Sequence, residues 1–280
     1  MHSPFHIISA AAGVAARFTV SHPFTAAVGL AAYVGSAVAS AHYLPGVMAS
    51  GSTLSNLAAW GASLPQTILL APVWTALLRF VILNDRQRGY FSWDRRVLRV
   101  LLVTAVLSAI SMVGWLPQTL ALDLLGGVPH GRLTEYAARA IGLAAKLAAF
   151  WLIIRLAIAP ALAAAGTRTY VLDTAFAFTK GWLGTIFLVK LIIYVALNLL
   201  PAAWIVLGRL FPDLREAPIS LTTLLVAAAL TAVVADFIDA AAMARIAQYI
   251  VRDRSVAEDQ EEELEGQQPR PNDLRQKVLR

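Results

Sequence analysis

The chain has 280 residues, of which 58% are hydrophobic and 14% are charged, and its formal net charge is +6. Soluble domains carry about 25% charged residues. This composition, with a mean hydropathy of +0.65, therefore excludes an ordinary soluble domain and predicts a chain held largely in a membrane. Cysteine is absent, which excludes disulfides, a thiol nucleophile and any zinc site built on cysteine.

Stretches of about 20 apolar residues, the length that a helix needs to cross a bilayer, recur along the chain. Turn-forming residues or charges separate each stretch from the next, as at Pro45-Gly46 and Pro212-Asp213. The pattern predicts an all-α fold, a polytopic transmembrane bundle of six helices within residues 1–254. The predicted spans are residues 24–44, 62–83, 98–122, 137–160, 182–206 and 219–241.

Arginine and lysine are concentrated in every second gap between the predicted spans. Up to Arg254, thirteen of them fall on the side shared by the two termini, and four fall on the other side. Cytoplasmic loops carry the excess of basic residues. We therefore predict that both termini are cytoplasmic and that the protein is a multi-pass protein of the cell's inner (plasma) membrane.

Two segments on the predicted cytoplasmic side have the composition of short interfacial helices. Residues 89–96 place Tyr, Phe and Trp beside arginines, which is typical of a headgroup-level anchor. Residues 169–180 alternate bulky apolar with polar side chains. Near the N-terminus, the apolar residues from Phe5 to Phe18 favour a further short helix in the interface.

The chain beyond residue 254 is polar and rich in charge. With few apolar side chains to bury, residues 255–280 are predicted to form a disordered cytoplasmic tail, with any helical extension limited to residues 242–255. A solvated tail is one interpretation of the acidic run that starts at Glu261. Docking of a protein partner through this run is the alternative.

Five charged residues fall inside predicted spans near their cytoplasmic ends: Arg79, Arg155, Lys190, Asp236 and Asp239. Charges inside a membrane are costly and are candidates for function. Lys190 and Asp236 lie at similar depth, which predicts an ion pair, and Asp239 is placed for Arg155 or Arg79. Such pairs could hold helices together while both arginines extend to lipid headgroups. The alternative is a cytoplasm-facing polar cavity that binds an anionic headgroup or couples a proton.

A second group of polar residues falls near the opposite, periplasmic ends of the spans. The tetrapeptide Leu-Pro-Gln-Thr occurs twice and places Gln66 and Gln118 beside a proline at the same level. Proline frees a backbone carbonyl, and the two glutamines are predicted to satisfy such groups or to face each other, with Asn198 as a third polar residue. A hinge or cap is one interpretation, and an outward-facing substrate vestibule is the other. Lys146, without an acidic residue at its depth, is predicted to extend toward the interface.

Motifs of soluble enzymes are missing from the sequence. There is no G-x-x-x-x-G-K-[ST] loop for nucleotide phosphates and no G-x-S-x-G nucleophile turn. The five histidines have no metal-binding spacing. We therefore predict no metal and no cofactor, and we assign no catalytic residue.

Three segments carry a family resemblance. Residues 155–161 (RLAIAPA) and 173–181 (DTAFAFTKG) combine a helix-ending arginine, a proline and a later A-[WF]-x-x-T-[RK]-G pattern, and residues 74–85 end in Asn84-Asp85. In these features the chain resembles a broad group of bacterial six-helix integral membrane proteins, similar to the membrane domain of glycerophosphodiester phosphodiesterases, in which a glycine-acid pair is commoner at the last position. The resemblance implies fold and location. The sequence contains no phosphodiesterase domain, so that activity is not implied.

These patterns predict a non-enzymatic membrane protein, either permease-like or a lipid-interacting scaffold. Its expected partners are membrane lipids, with anionic headgroups at the cytoplasmic face, together with a protein partner or a second copy of the chain, and no nucleic acid. One alternative is a membrane-embedded enzyme that modifies lipid, with Asp236 and Asp239 as its acidic pair. Another is an assembly or regulatory subunit that docks a partner through the acidic tail.

Overall fold

A computed structural model describes residues 3–43, 53–85, 93–125, 132–166, 171–210 and 221–267. The regular structure in these ranges is entirely helical, with no strand among them, as the predicted all-α class requires. In chain order the elements are α1 (Pro4–Ser21), α2 (Pro23–Tyr43), α3 (Thr53–Leu83), α4 (Arg95–Leu125), α5 (Arg132–Arg155), α6 (Ala159–Ala165), α7 (Val171–Phe178), a 3-10 turn (Thr179–Trp182), α8 (Leu183–Leu210) and α9 (Leu221–Gln267).

Several helical stretches are long and apolar enough to cross a membrane. Within the described ranges these are Thr53–Leu83, Arg95–Ala121, Thr134–Ala165 and Val171–Ala196. They overlap the second to fifth predicted spans, and a fifth crossing results if α1 and α2 are counted as one bent span. The predicted first span coincides with α2, and the predicted sixth falls almost entirely within α9.

The first helix turns sharply away from the second. The axes of α1 and α2 are bent by 106° at a break of at most four residues, and His22 stands between the two helices. On one side α1 packs against α9, while Phe5 on its other side is 71% exposed. The predicted N-terminal helix therefore exists, and its protein-facing side chains have helical spacing. These buried residues are Ile7, Ala11, Val14, Ala15 and Phe18.

An apolar core lies at the end of the bundle where α3 and α5 end and α4 begins; we name this the arginine end, because Arg79 and Arg155 lie in it. The short helix α6 packs between α3 and α4, and its residues Ala161, Ala163 and Ala164 have no exposed surface. Small side chains allow this close approach. The part of α9 around Ala244 is buried in the same core.

The ends of α3 and the start of α4 follow local rules. Asn84 ends α3 in the left-handed conformation, with φ 52°, a geometry that glycine adopts most easily and asparagine next. Asp94 accepts hydrogen bonds from the backbone N–H groups of Arg96 (2.9 Å) and Val97 (3.2 Å), and thereby caps α4. Of the predicted interfacial segments, residues 89–92 lie outside the described residues. Val171–Phe178 of the second segment form α7.

The helices α4 and α5 pack closely against each other at a glycine near their middles, and their outer faces are exposed. A Cβ atom added to Gly114 would lie 2.7 Å from Ala149 Cβ, so the two backbones approach as closely as small residues permit. Leu102 on α4 and Leu147 on α5 are 57% and 59% exposed. Broad exposed apolar faces on long helices are what a lipid environment permits.

At the opposite end of the bundle, α4 closes the start of α3. The carboxylate of Asp123 accepts a hydrogen bond of 2.7 Å from the backbone N–H of Thr53, the first residue of α3. This bond holds the pKa of Asp123 below its usual value of 3.8. A carboxylate at a helix N-terminus satisfies a backbone donor that has no partner within its own helix.

The last helix extends further than the sequence predicted. Residues 255–267, assigned to a disordered tail, continue α9 as helix, while residues 268–280 lie outside the described residues. Glutamate, glutamine and alanine, which dominate residues 257–263, have high helix propensity. Local propensity therefore favours continuation of the helix through this polar segment.

Candidate functional site

A cleft of about 610 Å³ opens between α5, α8 and α9. The residues from α8 lie at helical spacing on one face, so that the periodicity of this helix alone brings them together. Ala235, Asp236 and Asp239 come from α9, and Phe150 comes from α5. The volume falls in the usual range of small-molecule sites, about 300–1,000 Å³. The α8 residues are Phe187, Lys190, Leu191, Ile193 and Tyr194.

Lys190 forms its ion pair with Asp239. Its Nζ lies 2.7 Å from Asp239 Oδ2, and the two side chains are 23% and 28% exposed. The predicted pair between Lys190 and Asp236 is therefore wrong, although both residues line the cleft. Matching depth along the helices did not distinguish two carboxylates one turn apart on α9, because the lysine stem reaches either level.

Asp236 has a partner that its sequence neighbourhood does not indicate. The hydroxyl of Tyr33, on α2, donates a hydrogen bond to Asp236 Oδ2. The contact joins residues 203 positions apart. Asp236 thus links α2 to α9 on one side and faces the cleft on the other.

The walls of the cleft are apolar, and a second cleft adjoins it. The rings of Phe150 and Phe187 meet edge to face, with centroids 6.1 Å apart. A smaller cleft of about 390 Å³ between α1, α8 and α9 shares Ile193 and Ala235 with the first. The site therefore combines three charged side chains, Lys190, Asp236 and Asp239, with apolar walls. This combination suits an amphipathic ligand.

Arg79 belongs to the arginine end. Its Nε and one terminal nitrogen donate to Asp85 Oδ2 at 2.9 and 2.8 Å, and the other terminal nitrogen donates to the Ala164 carbonyl at 3.2 Å. The residue is only 8% exposed. Arg79 thus joins the chain after α3 to the last turn of α6, and the predicted contact with Asp239 is wrong.

Arg155 is also packed into the arginine end. Its guanidinium lies 4.0 Å from the ring centroid of Phe176 on α7 and 5.6 Å from that of Trp151. The Thr179 hydroxyl, fully buried, lies 2.8 Å from the Arg155 carbonyl and donates to it. The side chain is stacked on aromatic rings rather than paired with Asp239.

The five charged residues predicted as one cluster therefore separate into two groups. Arg79 and Arg155 hold helix ends in the packed core, whereas Lys190, Asp236 and Asp239 line the cleft. Asp85, Tyr33 and Thr179 complete these groups and were missed as partners in the sequence. Asp85 and Thr179 had a signal, because both lie in the segments that carry the family resemblance, whereas Tyr33 had none.

The polar residues predicted near the end of the bundle opposite the arginine end do not form one site. Gln66 accepts a hydrogen bond of 2.9 Å from the Ser36 hydroxyl, and Gln118 accepts one of 2.5 Å from Lys146 Nζ. The two glutamines therefore bind other side chains and not each other. Lys146 Nζ also lies 3.8 Å from the ring centroid of Trp115. The lysine side chain is therefore held between α4 and α5, whereas the sequence predicted that it extends toward the interface. The side chain of Asn198 lies outside the described residues.

The cleft offers charge and hydrogen bonding rather than a preformed metal site. The described residues contain no group of three or more His, Asp or Glu side chains placed to hold a metal ion. The carboxylates of Asp236 and Asp239, the ammonium group of Lys190 and the phenol of Tyr194 can bind a polar headgroup. The aromatic and aliphatic walls can contact an apolar body.

Comparison of the chain with protein-family models, with curated proteins and with solved structures finds no match in any of the three. The resemblance to the six-helix group therefore stays a prediction. Its pattern residues nevertheless have clear structural tasks. Phe176 and Thr179 both contact Arg155, and Asn84 occupies a left-handed position, where a glycine would fit.

Proposed function

We propose that this protein is a non-enzymatic, multi-pass protein of the inner membrane that holds an amphipathic ligand, first of all a membrane lipid, between α5, α8 and α9. The observation that carries the proposal is the cleft itself, in which charged Lys190, Asp236 and Asp239 share one space with Phe150 and Phe187. The same arrangement serves a scaffold that retains a lipid or a permease that passes one across.

The energetics of the cleft support binding over a purely structural role. A charge inside the membrane is costly unless it is paired or reached by water or a polar ligand. The Lys190–Asp239 pair is about a quarter exposed, so it is not sealed from the cleft. An open charged site with aromatic walls is the default location for a ligand.

The proposal includes six spans with both termini in the cytoplasm. It is supported by the basic residues on one side of the chain and by the helices at each predicted span. With this orientation, the arginine end faces the cytoplasm and the cleft opens within the inner half of the membrane.

Filling the cleft tests the binding function. Ala235→Phe places a ring in the space shared by both clefts, whereas Ala148→Phe adds the same ring to the exposed face of α5. Native mass spectrometry of protein extracted with its lipids should show bound lipid on the wild type and on Ala148→Phe, and a loss on Ala235→Phe. Equal lipid retention by the two variants would refute the proposed site.

The absence of cysteine makes the orientation directly measurable. A single cysteine at Arg95 should react with a membrane-impermeant maleimide only after the cells are permeabilised. A single cysteine at Glu135 should react in intact cells, once the outer membrane, if there is one, has been made permeable. Labelling of both positions from the same side would contradict the proposed topology.

A further inference from the structure

We infer that the cleft between α5, α8 and α9 selects an organic cation joined to an apolar body, such as a lipid with an ammonium headgroup or a free hydrophobic amine. This inference rests on the proposed function and assigns the ligand's charge. It departs from the anionic headgroup expected from the sequence, because two of the three cations in the predicted cluster, Arg79 and Arg155, do not line the cleft.

The balance of charge in the cleft is the first support. Two carboxylates, Asp236 and Asp239, face the space together with one ammonium group, Lys190. Lys190 is already engaged by Asp239 at 2.7 Å. With both acids ionised the cleft carries one negative charge, and an anionic ligand would add a second in a medium of low dielectric constant.

The remaining hydrogen-bonding capacity of the cleft points the same way. Among the described residues, Asp239 Oδ1 is buried and has no donor, and Asp236 receives its hydrogen bond from the neutral phenol of Tyr33. Each carboxylate therefore has fewer donors than it can accept. Asp236 lines the cleft and can accept a further donor from a ligand, whereas Asp239 must first turn its buried Oδ1 toward the cleft. An ammonium group supplies several donors and no acceptor, which matches what is missing.

The walls provide the third support. The rings of Phe150 and Phe187 line the space beside the carboxylates. Aromatic faces attract organic cations, and the attraction strengthens when the cation is desolvated. Carboxylates next to aromatic rings form a combination that binds an ammonium headgroup at one end and leaves an apolar body in contact with the walls.

A pair of probes with the same shape and opposite charge tests the inference: tetraphenylphosphonium and tetraphenylborate. Binding of each to the full chain is measured in nonionic micelles, with protein-free micelles as the reference. We expect the cation to bind the wild type more tightly than the anion. Asp236→Asn should weaken cation binding about tenfold, because it removes one negative charge from a cleft of low dielectric constant.

Two further variants make the result independent of the folding of Asp236→Asn. Glu135→Gln removes an exposed carboxylate that pairs with Arg139 on α5, and it should bind the cation as the wild type does. Lys190→Met removes the competing ammonium group and should strengthen cation binding. Equal cation affinity in Lys190→Met and Glu135→Gln, or tighter binding of tetraphenylborate by the wild type, would overturn the inference.

Lipid mixtures identify the source of the cation. In bilayers of phosphatidylethanolamine and phosphatidylglycerol, enrichment of phosphatidylethanolamine on the wild type and not on Asp236→Asn identifies a lipid headgroup. Cation binding without that enrichment identifies a free hydrophobic cation. Enrichment of phosphatidylglycerol in the cleft would leave the proposed lipid binding intact and refute the charge assignment. Failure of both probes and both lipids would refute the proposed function itself.

Discussion

The arginine end and the cleft both contain charged side chains from long apolar helices, but the surroundings of these charges differ. Arg79 and Arg155 are 8% and 7% exposed and lie beside the buried apolar core. Lys190 and Asp239 are about a quarter exposed and border an open space. The buried arginines contact only other parts of the protein, whereas the partly exposed charges beside the cleft are accessible to a ligand.

The nature of the partners explains the difference. Arg79 is satisfied by Asp85, a few residues further along the chain, and by the free carbonyl of Ala164 near the end of α6. Both partners lie at the C-terminal ends of helices, where backbone carbonyls without partners in their own helix are found. The cleft residues instead sit within helices, where the backbone is already satisfied, so their side chains remain available to one another and to a ligand.

Breaking the arginine end should have the largest effect on stability. Asp85→Asn leaves the buried Arg79 guanidinium without its counterion. Removal of one member of a fully buried pair costs about 3–5 kcal/mol, and because the Asp85 side chain is 24% exposed, we expect a loss at the lower end of that range. Chemical unfolding of the detergent-solubilised protein should show this loss. Glu135→Gln, which breaks an exposed pair with Arg139, should cost less than about 1 kcal/mol. Similar losses for the two variants would mean that Asp85 does not hold Arg79.

The cleft pair should be weaker and more tolerant of exchange. Asp239→Asn should cost about 1–2 kcal/mol, below the value for a fully buried pair, because Lys190 is partly exposed and can turn toward Asp236. The exchange Lys190→Asp with Asp239→Lys should restore most of that loss. The exchange Arg79→Asp with Asp85→Arg should not restore the stability lost in Asp85→Asn, since Arg79 also donates a hydrogen bond to the Ala164 carbonyl. Restoration in both double variants, measured by the same unfolding assay, would remove the distinction between the two regions.

The hydroxyl of Thr179 offers a finer test of the arginine end. Thr179→Val keeps the shape of the side chain and removes the donor to the Arg155 carbonyl. We expect a loss of about 1 kcal/mol in the free energy of unfolding. Thr179→Ser retains the donor and should lose less, and an equal or larger loss for Thr179→Ser would assign the effect to packing of the methyl group.

Much of the fold follows from local features of the sequence. Long apolar runs and the turn residues between them place the long helices, because both depend on neighbours along the chain. The extension of α9 through residues 255–267 was missed because low hydrophobicity was taken to exclude helix. Helix propensity favours a helix there.

The candidate site could be predicted only in part. Intramembrane charge singles out Lys190, Asp236 and Asp239, and all three line the cleft. Their pairing could not be derived, because depth along a helix leaves rotation and the order of helices undetermined. Tyr33 reaches Asp236 only because α2 packs on α9, a contact between the two ends of the chain that no local pattern encodes.

The contact between Asp123 and Thr53 should have the smallest effect, and its dependence on pH is distinctive. The Thr53 amide lowers the pKa of Asp123 in the folded protein, so the folded state favours the ionised form. The contact therefore stabilises the fold above the pKa of the unfolded chain, about 3.9, and this contribution is lost as the pH falls through the folded value. The wild type should unfold at a slightly higher temperature than Asp123→Asn at pH 6. The difference should shrink as the pH falls below about 4 and should vanish once the pH is below the lowered pKa of the folded state. A difference that does not change with pH would assign the effect to the shape of the side chain rather than to its charge.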